Sequence, residues 1–146
     1  MGLDISHDAW HGAYSAFSRW RNELAKIASF PPLALMEGFY NPIDWQYRFR
    51  NETSHRLWQI EIESYLPIKW DKWQDDPLTV LLYHSDCEGI IESKYLLPLA
   101  DRIETLLDKL PTEKDSGHIG DWKEKTQKFI NGCRLAASKD QDLEFY

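Results

Sequence analysis

Leu3-Asp4-Ile5-Ser6-His7-Asp8-Ala9-Trp10-His11-Gly12-Ala13-Tyr14 is the stretch on which the reading of the fold turns. Leu3-Asp4-Ile5 alternates apolar and polar as a short strand does, and Ser6-His7-Asp8 then offers capping oxygens directly ahead of a helical pattern. The spacing therefore predicts a strand that feeds straight into a helix. In that helix Trp10, Ala13, Phe17, Trp20, Leu24, Ile27 and Ala28 recur at intervals of three and four, an apolar stripe that must face a core. His11, Ser15, Ser18, Asn22 and Lys26 follow the opposite face. Pro31-Pro32 removes backbone donors and disfavours helix in the residue before it, so the helix should end by Ser29-Phe30.

Working outward, Leu78-Thr79-Val80-Leu81-Leu82-Tyr83 is a continuous apolar, β-favouring run between Asp76-Pro77 and a polar cluster. Such a run fits a strand buried on both faces, placed at the centre of a sheet. Residues 57–62 alternate loosely, as a half-buried strand would, and Trp70 and Trp73 follow in a loop or short turn. Leu96, Leu99, Ala100, Ile103, Leu106, Leu107 and Leu110 give a second amphipathic helix, closed by Pro111, in which Pro98 is tolerable only in the first turn. Trp122, Phe129, Ile130, Cys133 and Ala136 or Ala137 mark a third, weakened by Gly132. Leu143-Glu144-Phe145-Tyr146 is expected back as an edge strand. The sum is an α+β fold: a single small domain over residues 1–146, with a β-sheet packed against about three amphipathic helices.

Composition narrows the function classes. A chain of 146 residues with 42% hydrophobic and 14% aromatic side chains, seven Trp among them, can bury a contiguous core and is not disordered. With 24 acidic against 17 basic residues the net charge is −7, which opposes non-specific binding to a phosphate backbone and makes nucleic acid an unfavoured partner. Two cysteines, Cys87 and Cys133, make no disulfide framework, and neither a leader pattern nor an apolar run of membrane-spanning length is present. These features point to a cytoplasmic protein with no membrane partner, and they permit a homo-oligomer.

Polar chemistry gathers in two short stretches. If the first helix already includes His7, then His7 and His11 project from one face a turn apart, a spacing that can chelate a divalent metal, with Asp4 or Asp8 completing the site or fixing a tautomer. If helix starts at Asp8 or later, that chelate dissolves and the pair is a cap and a surface residue. Trp10 lies on the apolar stripe and reads first as core. The second stretch, Tyr83-His84-Ser85-Asp86-Cys87-Glu88-Gly89, follows the presumed central strand, where α/β sheets collect ligands. His84 suits a general base or ligand, Asp86 its orienting partner or a metal ligand, and Cys87 a nucleophile or soft ligand. A purely structural reading stands beside it: Ser85 and Asp86 hold a turn, Gly89 supplies a positive φ, and Cys87 packs as a small hydrophobe.

Residues 2–17, running Gly2-Leu3-Asp4-Ile5-Ser6-His7-Asp8-Ala9-Trp10-His11-Gly12-Ala13-Tyr14-Ser15-Ala16-Phe17, together with Arg19-Trp20-Arg21 and His84-Ser85-Asp86-Cys87-Glu88-Gly89-Ile90, resemble a group of small uncharacterised proteins of bacteria and their phages. The resemblance covers nearly the whole chain. It implies a bacterial or phage accessory protein in which the two stretches belong to one design. A strand at residues 3–5 beside one at 78–83 would bring His7 and His11 toward His84 and Asp86. The leading expectation is then a pocket for a small polar ligand, with a nucleotide-type signal sequestered against bacterial defence as its concrete form. Histidines, Asp8, Arg19 or Arg21, Ser85 and the helix dipole would meet its charge, and Tyr14 or Tyr83 would stack on a base. The competing expectations are a metal- or His/Asp-assisted hydrolase with His84 as base and Asp86 beside it, and an acidic module that inhibits a basic partner. The residues specify neither a metal nor a cofactor.

Overall fold

The chain turns back on itself after its first strand instead of entering a helix. In the computed structural model, which describes residues 2–39, 68–111 and 121–146, β1 (Gly2–Ile5) pairs antiparallel with β2 (Trp10–Ala13), Ile5 facing Trp10 and Leu3 facing Gly12. His7 and Asp8 make the bend with φ of 60° and 56°, and the Ala9 amide donates to the Ser6 carbonyl at 3.2 Å. Two consecutive positive φ values are what a type I′ hairpin turn requires, and Asp and His enter that region more readily than bulkier residues. Capping oxygens and turn formers are the same residue types, so Ser6-His7-Asp8 reads equally well as either. The expected start of the helix near Asp8 is thus corrected: α1 spans Tyr14–Ile27.

The far end of α1 follows the expectation. Ser29 takes φ 65°, its amide donates to Lys26, and the Phe30 amide donates to Ala25 at 2.8 Å, which is the Schellman closure. At 78–83 the expectation fails. Thr79–Leu82 is a short helix, α2, which the Asp76 side chain opens by accepting from the Leu78 amide at 2.9 Å. Leu78, Leu81 and Leu82 are fully buried. An apolar run this short buries equally well as one helical turn, and its periodicity does not separate the two.

Beyond it come β3 (Gly89–Ile91), α3 (Ser93–Glu104), α4 (Trp122–Ser138) and β4 (Leu143–Phe145). The sheet order is β2-β1-β4-β3, antiparallel throughout, so the C-terminal strand lies inside the sheet and not at its edge. Pro98 falls in the second turn of α3, where the amide it lacks would have met an exposed stretch of helix. The helix stops at Glu104 instead of reaching Leu110, and a 3₁₀ turn over Leu107–Lys109 carries Leu106 and Leu110 into the core. The strand expected at 57–62 lies outside the described residues.

Alternation along the strands sends Leu3, Ile5, Trp10, Ile91, Leu143 and Phe145 to the helix side of the sheet, all buried, and leaves Asp4, His11, Ile90 and Glu144 on the other. The centre of the core is aromatic: Trp10 stacks on Trp20 with centroids 4.9 Å apart, and Trp20 meets Phe129 edge-on at 5.0 Å. The Trp20 indole donates to Thr126 Oγ1 at 2.8 Å, and that hydroxyl donates to the Trp122 carbonyl, so a buried pair of polar groups is satisfied. Gly132 lets α4 touch the hairpin, since a Cβ there would lie 2.5 Å from the Ala9 Cβ. The fold is α+β, and the three long helices among the described residues are the three that the apolar stripes mark.

Candidate functional site

Arg21 stands on the buried stripe of α1, four residues after Phe17 and three before Leu24, and is only 2% exposed. Its Nη1 donates to the carbonyls of Leu81 at 3.5 Å, Leu82 at 3.4 Å and His84 at 2.5 Å, at and just past the end of α2. The guanidinium lies 4.6 Å over the Phe17 ring and 5.5 Å over Phe39. Its Nε is buried and has no hydrogen-bond partner among the described residues. Among the described residues no carboxylate forms an ion pair with it; Asp86 acts on it only at longer range. Burial pulls the guanidinium down to about 10, and the Asp86 charge opposes this. A shift of that size penalises the charged form by on the order of 3 kcal/mol.

Arg21 forms part of the wall of a cleft of about 360 Å³. Among the described residues the aromatics Phe39, Trp70 and Tyr83 line it, together with the polar Glu37, His84, Ser85 and Asp86. A second cleft of about 630 Å³ shares Glu37, Trp70 and Tyr83 with the first and adds Asp71, Asp75, Asp76, Val80 and Tyr95. Trp70 is fixed by its indole N–H, which donates to the Glu37 carbonyl at 2.9 Å. The sizes fall in the range of small-molecule sites.

His84 is held on the helix side of the sheet, its ring 4.0 Å from that of Phe145. Nδ1 lies 2.8 Å from the Ser85 carbonyl and Nε2 lies 3.0 Å from the Ile90 carbonyl. Carbonyls only accept, so each contact is made when the facing ring nitrogen carries a hydrogen. In this arrangement both ring nitrogens face backbone carbonyls, and Asp86 makes no hydrogen bond to the ring among the described contacts. Gly89, at φ 108°, leaves the room His84 needs: a Cβ there would lie 3.2 Å from the ring. Ser85 Oγ accepts from the Cys87 amide at 3.2 Å, as the structural reading of that turn expects, and the Cys87 thiol is exposed.

The first stretch lies elsewhere. His7 Nε2 donates to Gln141 Oε1 at 2.8 Å, and Ser6 Oγ, which accepts from the Glu144 amide, donates to His7 Nδ1 at 2.9 Å. The ring's two nitrogens are thereby spent on joining the hairpin to the end of α4. His11 pairs with Asp4 on the exposed face of the sheet, and Asp8 pairs with Lys128 at 3.2 Å. A His7/His11 chelate on one helix face is corrected, because both residues precede the helix. Trp10 is core, Tyr14 is half-buried at the start of α1, and Arg19 is exposed. The expected meeting of His7 and His11 with His84 and Asp86 does not form: the cleft at His84 takes none of residues 6–11 among its described lining, and two strands separate β2 from β3. No group of three or more His, Cys, Asp or Glu placed to hold a metal occurs among the described residues.

Of the candidates from sequence, then, Arg21, Tyr83, His84, Ser85 and Asp86 share one cleft. Glu37, Phe39 and Trp70 were not expected there, nor Tyr95 in the adjoining cleft. For Arg21 a sequence signal exists in plain view, a charge at the i+4 position of an apolar stripe; for the others there is none, since they come together only through packing. Fold and cleft define a small α+β domain with a buried, under-partnered arginine beneath an aromatic rim. No protein-family model, curated protein or solved structure matches the chain.

Proposed function

We propose that this is a small-ligand-binding protein whose ligand places one anionic group beside Arg21 and lays an apolar or flat portion against Trp70 and Tyr83. One observation carries the reading: a guanidinium 2% exposed, with its Nε unsatisfied, at the wall of a cleft of about 360 Å³. Buried polar groups are satisfied as a rule, and an exception beside a cavity is explained by a ligand group that supplies the missing acceptor. Sequestration of a nucleotide-type signal in a bacterial or phage setting is one form of this function. Glu37 and Asp86 in the same wall favour ligands of low negative charge over polyphosphates.

The Arg21 Nε–H resonance, assigned by its loss in Arg21→Lys, tests the reading directly. Orthophosphate, benzoate, adenosine monophosphate and a cyclic dinucleotide are titrated in turn. Binding by at least one of them must move that resonance downfield and raise the melting temperature in proportion to occupancy. If all four leave both unchanged, the proposal fails. Recovery of the bound nucleotide unaltered from heat-denatured protein separates sequestration from hydrolysis.

A further inference from the structure

The two clefts share a wall and differ in charge. Arg21 lies in the smaller one, while the larger adds carboxylates and a further aromatic: Asp71, Asp75 and Tyr95 join Glu37, Trp70 and Tyr83. Asp76 is already committed to Arg102, whose Nε lies 3.1 Å away. Glu37, Asp71 and Asp75 make no ion pair with a described residue. Carboxylates set among aromatic faces are the chemistry that receives an organic ammonium, through charge and through the ring quadrupole. Tyr83 is 56% exposed and Tyr95 43%, so both rings are open to a ligand. The centroids of Trp70 and Tyr83 lie 6.0 Å apart with their planes at 54°, and both rings line the smaller cleft that holds Arg21 and the larger one that holds the added carboxylates.

We infer that the ligand is a zwitterion of the amino-carboxylate class. Its carboxylate lies against the part of the Arg21 guanidinium that lines the smaller cleft, its ammonium faces Glu37 and Asp71, and its carbon skeleton lies across Trp70 and Tyr83. The inference rests on the anion reading given above and adds the second pole. It also explains how a single buried cation works within a wall that bears several carboxylates: a ligand of zero net charge meets no net repulsion from them.

The test uses the full chain and matched triplets of probes: phenylalanine with 3-phenylpropanoate and phenethylamine, and 6-aminohexanoate with hexanoate and hexylamine. Binding is read by calorimetry and by the Arg21 Nε–H and Trp70 Nε1–H resonances. The expected result is that a zwitterion binds roughly tenfold tighter than its deaminated acid, the weight of one charge-assisted contact, and moves both resonances. In the Glu37→Gln/Asp71→Asn double variant, whose changes are on exposed side chains, that advantage disappears while the affinity for the acid is unchanged or higher. Should the acids bind as tightly as the zwitterions and still move Arg21, the second pole is wrong and the anion site stands. Should no probe of either triplet move Arg21 Nε–H, the zwitterion inference is overturned, and the broader anion reading is then decided by the phosphate and nucleotide titrations.

Discussion

At the scale of single residues Arg21 is an expensive side chain. Arg21 gains three carbonyl contacts through Nη1 but gives up its hydration, and the two effects are of similar size. Arg21→Met is therefore expected to leave the unfolding free energy within about 1 kcal/mol of the parent while abolishing ligand-induced stabilisation. A loss of more than about 3 kcal/mol in urea melts would make Arg21 a structural clasp only. Its pH signature has a definite sign. A guanidinium at about 10 in the folded chain releases its proton before the unfolded chain does, so its contribution to stability is flat below that pH and rises above it. Cys133 runs the other way. Burial pushes its thiol up to about 12, against the pull of Arg134, so the unfolded chain ionises first and stability falls from the ordinary thiol range upward. Cys133→Val should flatten that alkaline loss. Under native conditions Ellman's reagent should titrate one thiol quickly, the exposed Cys87, and reach the buried Cys133 only on unfolding.

At the scale of elements, the contact between α4 and the β1–β2 hairpin has its own test. In an open helix Gly→Ala gains about 1 kcal/mol, yet at Gly132 the new methyl would meet Ala9 at 2.5 Å. Gly132→Ala is expected to cost about 1–3 kcal/mol, and Ala9→Gly in the same chain should recover part of it, giving a favourable coupling energy in a double-mutant cycle. Additive costs would show that the helix does not rest on the hairpin. Ser29, exposed at φ 65°, closes α1 in a conformation that glycine adopts freely; Ser29→Gly should raise the urea midpoint by a stabilisation of about 0.5–1 kcal/mol. Elements are also where reading from sequence did best and worst. The stripes of α1, α3 and α4 were legible because a 3.6-residue period over ten or more residues admits one reading. Ser6–Asp8 and the run at 78–83 were not, because four to six residues carry too little period to choose between turn and cap, or between strand and helical turn.

At the scale of the whole molecule, β4 connects the two halves of the sheet. Phe145 pairs with Ile5 on one side and Gly89 on the other, packs on Phe17 at 6.0 Å and supports the His84 ring. Phe145→Ala should cost about 3–5 kcal/mol and broaden the resonances of residues 83–90, whereas an edge strand would lose less and disturb only itself. The candidate site is a product of the same level. Arg21 was named only beside Arg19 as a cation able to meet a ligand's charge, although a charge on an apolar stripe stands out locally, and Tyr83 to Asp86 were named because polar residues cluster there; Glu37, Phe39, Trp70 and Tyr95 have no local mark. By itself the sequence determined the folded α+β class, the three long helices, their buried faces and the acidic surface, since each follows from composition or from periodicity within one segment. Tertiary structure alone decided that His7 and His11 belong to a hairpin, that β4 is interior, and that the two histidine stretches serve different places. Strand order and the lining of a cleft depend on contacts between distant segments, and a pattern local to the chain does not encode which of several compatible partners wins the competition for burial.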